Sequence, residues 1–175
     1  MTFGRNYLNL NGKRPEKPLF PARERIVVFD VHNLLVNQRA NYEHGRRNGG
    51  DIYVVHGQAK DVVLTAIKDF DRVVLWSSHQ DHLDQLNGTP FDEVSLCIAG
   101  GMVINDNLIK DLRILSPDEQ LRKVVALEDE DIYFEPLRRV IPVGRHDNLA
   151  EKYKEARALV FQRIIHKLPY TTSST

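Results

Sequence analysis

Residues 25–35, RIVVFDVHNLL, constrain this chain more than any other stretch. Ile, Val and Phe at consecutive positions read as a short strand buried on both faces, and the run ends on a carboxylate, Asp30. The same design recurs twice. RVVLWSS at 72–78 ends in the hydroxyls Ser77 and Ser78, and KVVALEDED at 123–131 ends in Glu128, Asp129, Glu130 and Asp131. If these strands are parallel, their ends lie at one level, where loops and helix N-termini converge and ligands bind. Two plainer readings stand beside this one: Asp30 capping a turn before Asn33, and a solvated acidic loop.

A chain of 175 residues suits a single core. Its formal net charge is zero, so the whole molecule exerts no long-range pull on nucleic acid or anionic membrane, although local patches could. Cys97 is the single cysteine and lies in the apolar run VSLCIA, which excludes an intramolecular disulfide and makes it a buried small hydrophobe. No apolar run approaches the roughly 18 residues of a membrane helix, and the N-terminus lacks a secretory core segment. A soluble, intracellular protein with no membrane partner is expected.

Residues 1–24 read as a basic, extended N-terminal arm outside the core, pinned at its end by Leu19 and Phe20. Lys13 and Arg14 are its candidate contacts to phosphate, RNA or an acidic protein surface. Residues 36–50 read as a polar loop or small insertion on the Asp30 side, from which Arg46 or Arg47 could meet a phosphate. Helical spacing of Val62, Val63, Ala66, Ile67 and Phe70 predicts a helix packed on the sheet. His79, Asp81 and His82 read as a solvent-facing helix start rather than a metal site. Further on, EVSLCIA is a strand, Gly100-Gly101 a turn, and MVIND a hairpin return or a short strand. Lys110, taken alone, is surface decoration. Ser116 and Pro117 open one or two helical turns, and RRVIPVG at 138–144 is the last strand. A final helix from Leu149 to Leu168 is expected, with Asn148 as its N-cap, Glu151 as the third-position partner, and Tyr153, Ala156, Val160 and Ile164 as its apolar stripe. One domain over 25–168 and a flexible tail over 169–175 complete the organisation.

The order strand-Asp30, strand-Ser77, Lys110, strand-Glu128/Asp129 resembles the four motifs of the haloacid-dehalogenase-like phosphatases, over about residues 25–145. IKDLRIL, KVVALEDEDIYF and RRVIPV bring it nearest the small capless branch. That branch holds the CTD-type phosphatases, the NLI-interacting-factor-like proteins and the mitochondrial import subunit with the same domain. The resemblance implies a three-layer α/β/α Rossmannoid fold with a mainly parallel central sheet and minimal or no cap. It also implies that Asp30 attacks phosphorus and becomes a phosphoaspartate, that Ser77 donates to a phosphoryl oxygen, and that Lys110 neutralises charge. Asp129 and Glu128, with Asp30 and the backbone carbonyl of His32, would hold Mg2+.

The first motif departs from the family pattern. Where the family has Asp-x-Asp-x-Thr or Val, this chain has Asp30, His32 and Leu34. The second aspartate's work, protonating the leaving oxygen and later activating water, would fall to His32, and an imidazole is a competent acid and base. Two expectations follow. One is a Mg2+-dependent phosphomonoesterase or phosphotransferase acting on a phosphorylated protein, a nucleic-acid end or a small phosphate. The other is an inactive module of the same fold that binds protein or nucleic acid.

Overall fold

A strand with apolar residues at successive positions is stable only where both faces of its sheet are covered, and Ile26–Asp30 is buried throughout. A computed structural model describes residues 5–39, 42–43, 46–47, 52–129, 134–144 and 146–162. In chain order the elements are β1 (Tyr7–Asn9), β2 (Ile26–Asp30), β3 (Val36–Arg39), β4 (Tyr42–Glu43), β5 (Arg46–Arg47), β6 (Ile52–Val55), α1 (Ala59–Asp69), β7 (Arg72–Ser77), α2 (Gln80–Asp84), β8 (Leu96–Ala99), β9 (Met102–Ile104), β10 (Asn107–Asp111), β11 (Val124–Glu128), β12 (Phe134–Glu135), β13 (Val140–Pro142) and α3 (Leu149–Phe161). The fold is α/β. Six strands form the central sheet in the order β1-β8-β7-β2-β11-β13, and every neighbouring pair is parallel.

Alternation along the strands divides the core in two. Val27, Phe29, Leu75, Cys97 and Leu127 face the layer that contains α1 and α3, with Leu83 and Leu86 beside them. Val28, Val74, Trp76, Ile98 and Ala126 face the other way, onto Leu112, Ile114, Leu121 and Phe134. That second layer is built from 3-10 helices (Leu112–Ile114, Asp118–Lys123) and extended segments among the described residues. Cys97 is buried, as expected, and burial pushes its thiol up to about 11. No helix among the described residues is long and apolar enough to cross a membrane.

Several expectations change. The N-terminal segment is not wholly outside the core: Tyr7–Asn9 adds an edge strand parallel to β8, and Leu10 is buried. Its later part is tied down as predicted, with Leu19 N–H and Phe20 N–H donating to the carbonyls of Ile114 and Leu115. Residues 36–39 are a strand rather than a loop, paired antiparallel with β6. MVI forms a hairpin with the strand that follows it, not with β8, through Asn105 and Asp106, both at positive φ. Pro117 precedes a 3-10 helix, and the buried Ser116 hydroxyl makes no cap bond. Asn148 caps α3 by accepting from Glu151 N–H at 3.2 Å, whereas the Glu151 carboxylate turns to Lys154. α3 ends at Phe161; its expected continuation, with Ile164, and the 169–175 tail lie outside the described residues.

Candidate functional site

The chain passes outward from β2 to β7 and β8, then returns to the other side of β2 for β11. Strand order therefore reverses between β2 and β11, the place where open parallel sheets leave a crevice beyond their carboxyl ends. Register does the rest. Leu127 partners Phe29, which sets Glu128 level with Asp30, and Asp30 partners Trp76, which leaves Ser77 one step beyond.

Asp30, Glu128 and Lys110 meet there, exposed by only 2 %, 0 % and 1 %. The Lys110 ammonium donates to Asp30 Oδ1 and, at 3.2 Å, to Glu128 Oε2. Its strand, β10, belongs to a separate three-stranded sheet, and Lys110 pairs with Phe134 in that sheet, whose ring lies 4.7 Å from the ammonium. Lys110 is thus not surface decoration. Asp129, half-buried, stands beside them and donates its backbone N–H to Glu128 Oε1 at 3.0 Å. Asp30 does not cap the turn before Asn33, which is closed by backbone bonds from Asn33, Leu35 and Val36. Nor is Glu128 solvated; Glu130 and Asp131 lie outside the described residues.

Ligand oxygens of Asp30, Glu128 and Asp129 all lie within 4.8 Å of one another. Burial, and then the charge of Asp30, pushes the Glu128 carboxyl up to about 10, although Lys110 opposes the shift. Asp30 is also raised by burial, against the ammonium beside it. Burial acts to lower Lys110, but the two carboxylates outweigh it and its net shift is upward. Among the described residues one ammonium faces three clustered carboxyls, a balance met by a proton kept on Glu128 or by a further cation. A hard divalent ion with oxygen ligands suits that donor set.

Ser77 is fully buried at the end of β7 and accepts from His79 N–H at 3.2 Å. Its Oγ also lies 3.0 Å from Nδ1 of His82. The expectation of a solvent-facing cluster holds for His79 and Asp81, which are exposed, and fails for His82, which is buried. Burial, helped by the neighbouring imidazoles of His32 and His79, lowers His82 to about 4, so its ring is neutral at neutral pH. The half-buried His32 ring stacks on it, with centroids 4.5 Å apart and 11° between planes, and Tyr53 of β6 approaches from 5.9 Å. Leu34 packs into the core.

Arg46 and Arg47 form β5, but their side chains lie outside the described residues. Lys13 and Arg14 are exposed beyond the end of β1, three strand spacings from β2, or about 14 Å at typical spacing. None of the described contacts brings them to Asp30. Residue-level reading missed His82, Tyr53 and Phe134 as parts of the site. Phe134 had a faint signal, an aromatic directly after the acidic run. Comparison with known proteins finds no matching family model and no matching curated protein.

Proposed function

We propose that this protein is a Mg2+-dependent phosphotransferase or phosphomonoesterase of the haloacid-dehalogenase type, working through Asp30. The observation that carries the reading is a buried carboxylate at the strand-order reversal, held by Lys110 and level with Glu128. An Asp30 oxygen attacks phosphorus while the bond from phosphorus to the leaving oxygen breaks, and His32 gives that oxygen its proton. Water then attacks the phosphoaspartate, His32 takes the proton back, and inorganic phosphate leaves with Asp30 restored. Lys110 offsets negative charge on the nucleophile and the transferring group, and Ser77 supplies a neutral hydrogen bond to a phosphoryl oxygen. Asp30, Glu128, Asp129 and the His32 carbonyl would hold the metal, which when bound neutralises phosphoryl charge.

Hydrolysis of an aryl phosphate with Mg2+, by wild type and Asp30→Asn, tests the reading. Turnover in the wild type and its loss in the variant are expected. Background rates in both, on folded metal-replete protein and across several phosphate substrates, would end the enzyme reading. A second reading has one observation in its favour: His32, in place of an acidic residue, is stacked flat on His82. It keeps the site as a phosphate-binding module without turnover. Beryllofluoride binding in the absence of hydrolysis is its signature.

A further inference from the structure

A serine hydroxyl has one proton and two lone pairs. At Ser77 one lone pair is taken by His79 N–H, 3.2 Å away. The contact with His82 Nδ1, at 3.0 Å, uses either the second lone pair or the proton. If Nδ1 is bare, the proton of Ser77 points into the imidazole and none is left for a ligand. If Nδ1 carries hydrogen, Ser77 accepts twice and its own proton is free to point elsewhere. The tautomer of one buried ring therefore decides whether Ser77 can donate to an anion.

We propose that His82 is a positioning residue, held as the Nδ1–H tautomer, which fills the second acceptor site of Ser77 and so reserves the serine proton for the bound phosphoryl group. The inference rests on the phosphoryl-transfer reading, because that reading needs Ser77 as a donor. Geometry fixes the ring for this task. α2 carries His82 against β7, one face of the ring is covered by His32, and His79 and Tyr53 meet it at centroid distances of 5.5 and 5.9 Å. With its planes so confined, the imidazole presents Nδ1 to Ser77. The tautomer is the open choice at this ring, since Nδ1 can either donate to Ser77 or accept from it.

Two variants separate the hydrogen bond from the packing. His82→Asn keeps a donor close to the position of Nδ1 and loses the stacked ring; His82→Phe keeps a ring against His32 and loses the donor. The primary readout is a long-range 1H–15N correlation spectrum of histidine-labelled full-length protein at neutral pH, with His82 assigned by its disappearance in His82→Phe. A predominant Nδ1–H pattern is expected, and any other pattern overturns the proposal. This measurement needs neither metal nor turnover, so it can fail while the enzymatic reading survives, and the reverse. The second readout is affinity for beryllofluoride with Mg2+. His82→Phe is expected to bind about tenfold or more weakly, with no further loss when combined with Ser77→Ala, whereas His82→Asn stays within about threefold of wild type. Equal losses in Phe and Asn, or none in Phe, would reduce His82 to a packing residue.

Discussion

Removing one partner of a buried ion cluster costs far more than the cluster contributes to stability, because the remaining charges are left in a medium that cannot solvate them. Lys110 is in that position, donating to Asp30 and Glu128 with all three side chains buried. Lys110→Met is nearly isosteric and packs acceptably against Phe134, so its effect is electrostatic. In chelator, at neutral pH, the variant is expected to lose about 3–5 kcal/mol by urea unfolding. Adding Asp30→Asn in the same chain is expected to return a large part of that loss, since it removes one of the stranded charges. A loss below about 1 kcal/mol would mean that Asp30 takes up a proton once the ammonium is gone, so that no charge is left stranded. A single lysine in IKDLRIL carries none of this on its face. What buries it is a strand pairing with residues 24 positions onward.

The element that delivers Lys110 is the β9–β10 hairpin, and its position depends on a glycine. A Cβ at Gly101 would sit 2.7 Å from the carbonyl oxygen of Ile109, the residue before Lys110. Gly101→Ala must therefore push β10 away or distort it, and a loss of about 1–3 kcal/mol is expected, seen as a lower urea midpoint at unchanged slope. Gly57→Ala, where nothing lies within 4 Å, is the matched control and is expected within about 0.5 kcal/mol of wild type. The same hairpin shows where sequence reading stops. β2, β7 and β11 announce themselves because strands covered on both faces need apolar residues at every position, and Asp30, Ser77 and Glu128 follow as their end residues. β10 is exposed at its start and buried only at Lys110 and Asp111, so it has no such run. β1 is three residues among asparagines and glycine, and only the edge of β8, far along the chain, makes it a strand. His82 is hidden for a similar reason: helical spacing gives its register on α2, but its burial comes from His32 and Tyr53, brought in from other elements.

Zero net charge leaves the whole molecule without a strong electrostatic bias of its own, so the response of its stability to pH falls to the few groups whose proton affinity folding changes most. Glu128 and His82 are two of them, and they pull in opposite directions. Glu128 is raised by burial and by Asp30 from 4.5 to about 10. Between those values the folded state holds a proton that the unfolded chain has lost, so its contribution is complete below 4.5 and drains away as pH rises towards 10. His82 is lowered by burial from 6.5 to about 4, so its contribution is complete above 6.5 and is lost as pH falls towards 4. Each group can bend the stability curve by at most about 1.4 kcal/mol per pH unit. Urea unfolding of the metal-free protein at steps between pH 4 and 9 is therefore expected to show a plateau between 4.5 and 6.5, where the two slopes offset, and a fall above it; His82→Phe extends the fall down to 4.5, and Glu128→Gln removes it above 6.5. Millimolar Mg2+ should raise stability more at pH 8 than at pH 6, because a cation that binds in place of the Glu128 proton meets less competition as protons become scarce. Stabilisation by Mg2+ that is equal at both pH values, or unchanged in Glu128→Gln, would remove Glu128 from the metal site while leaving Asp30 and Lys110 as they stand.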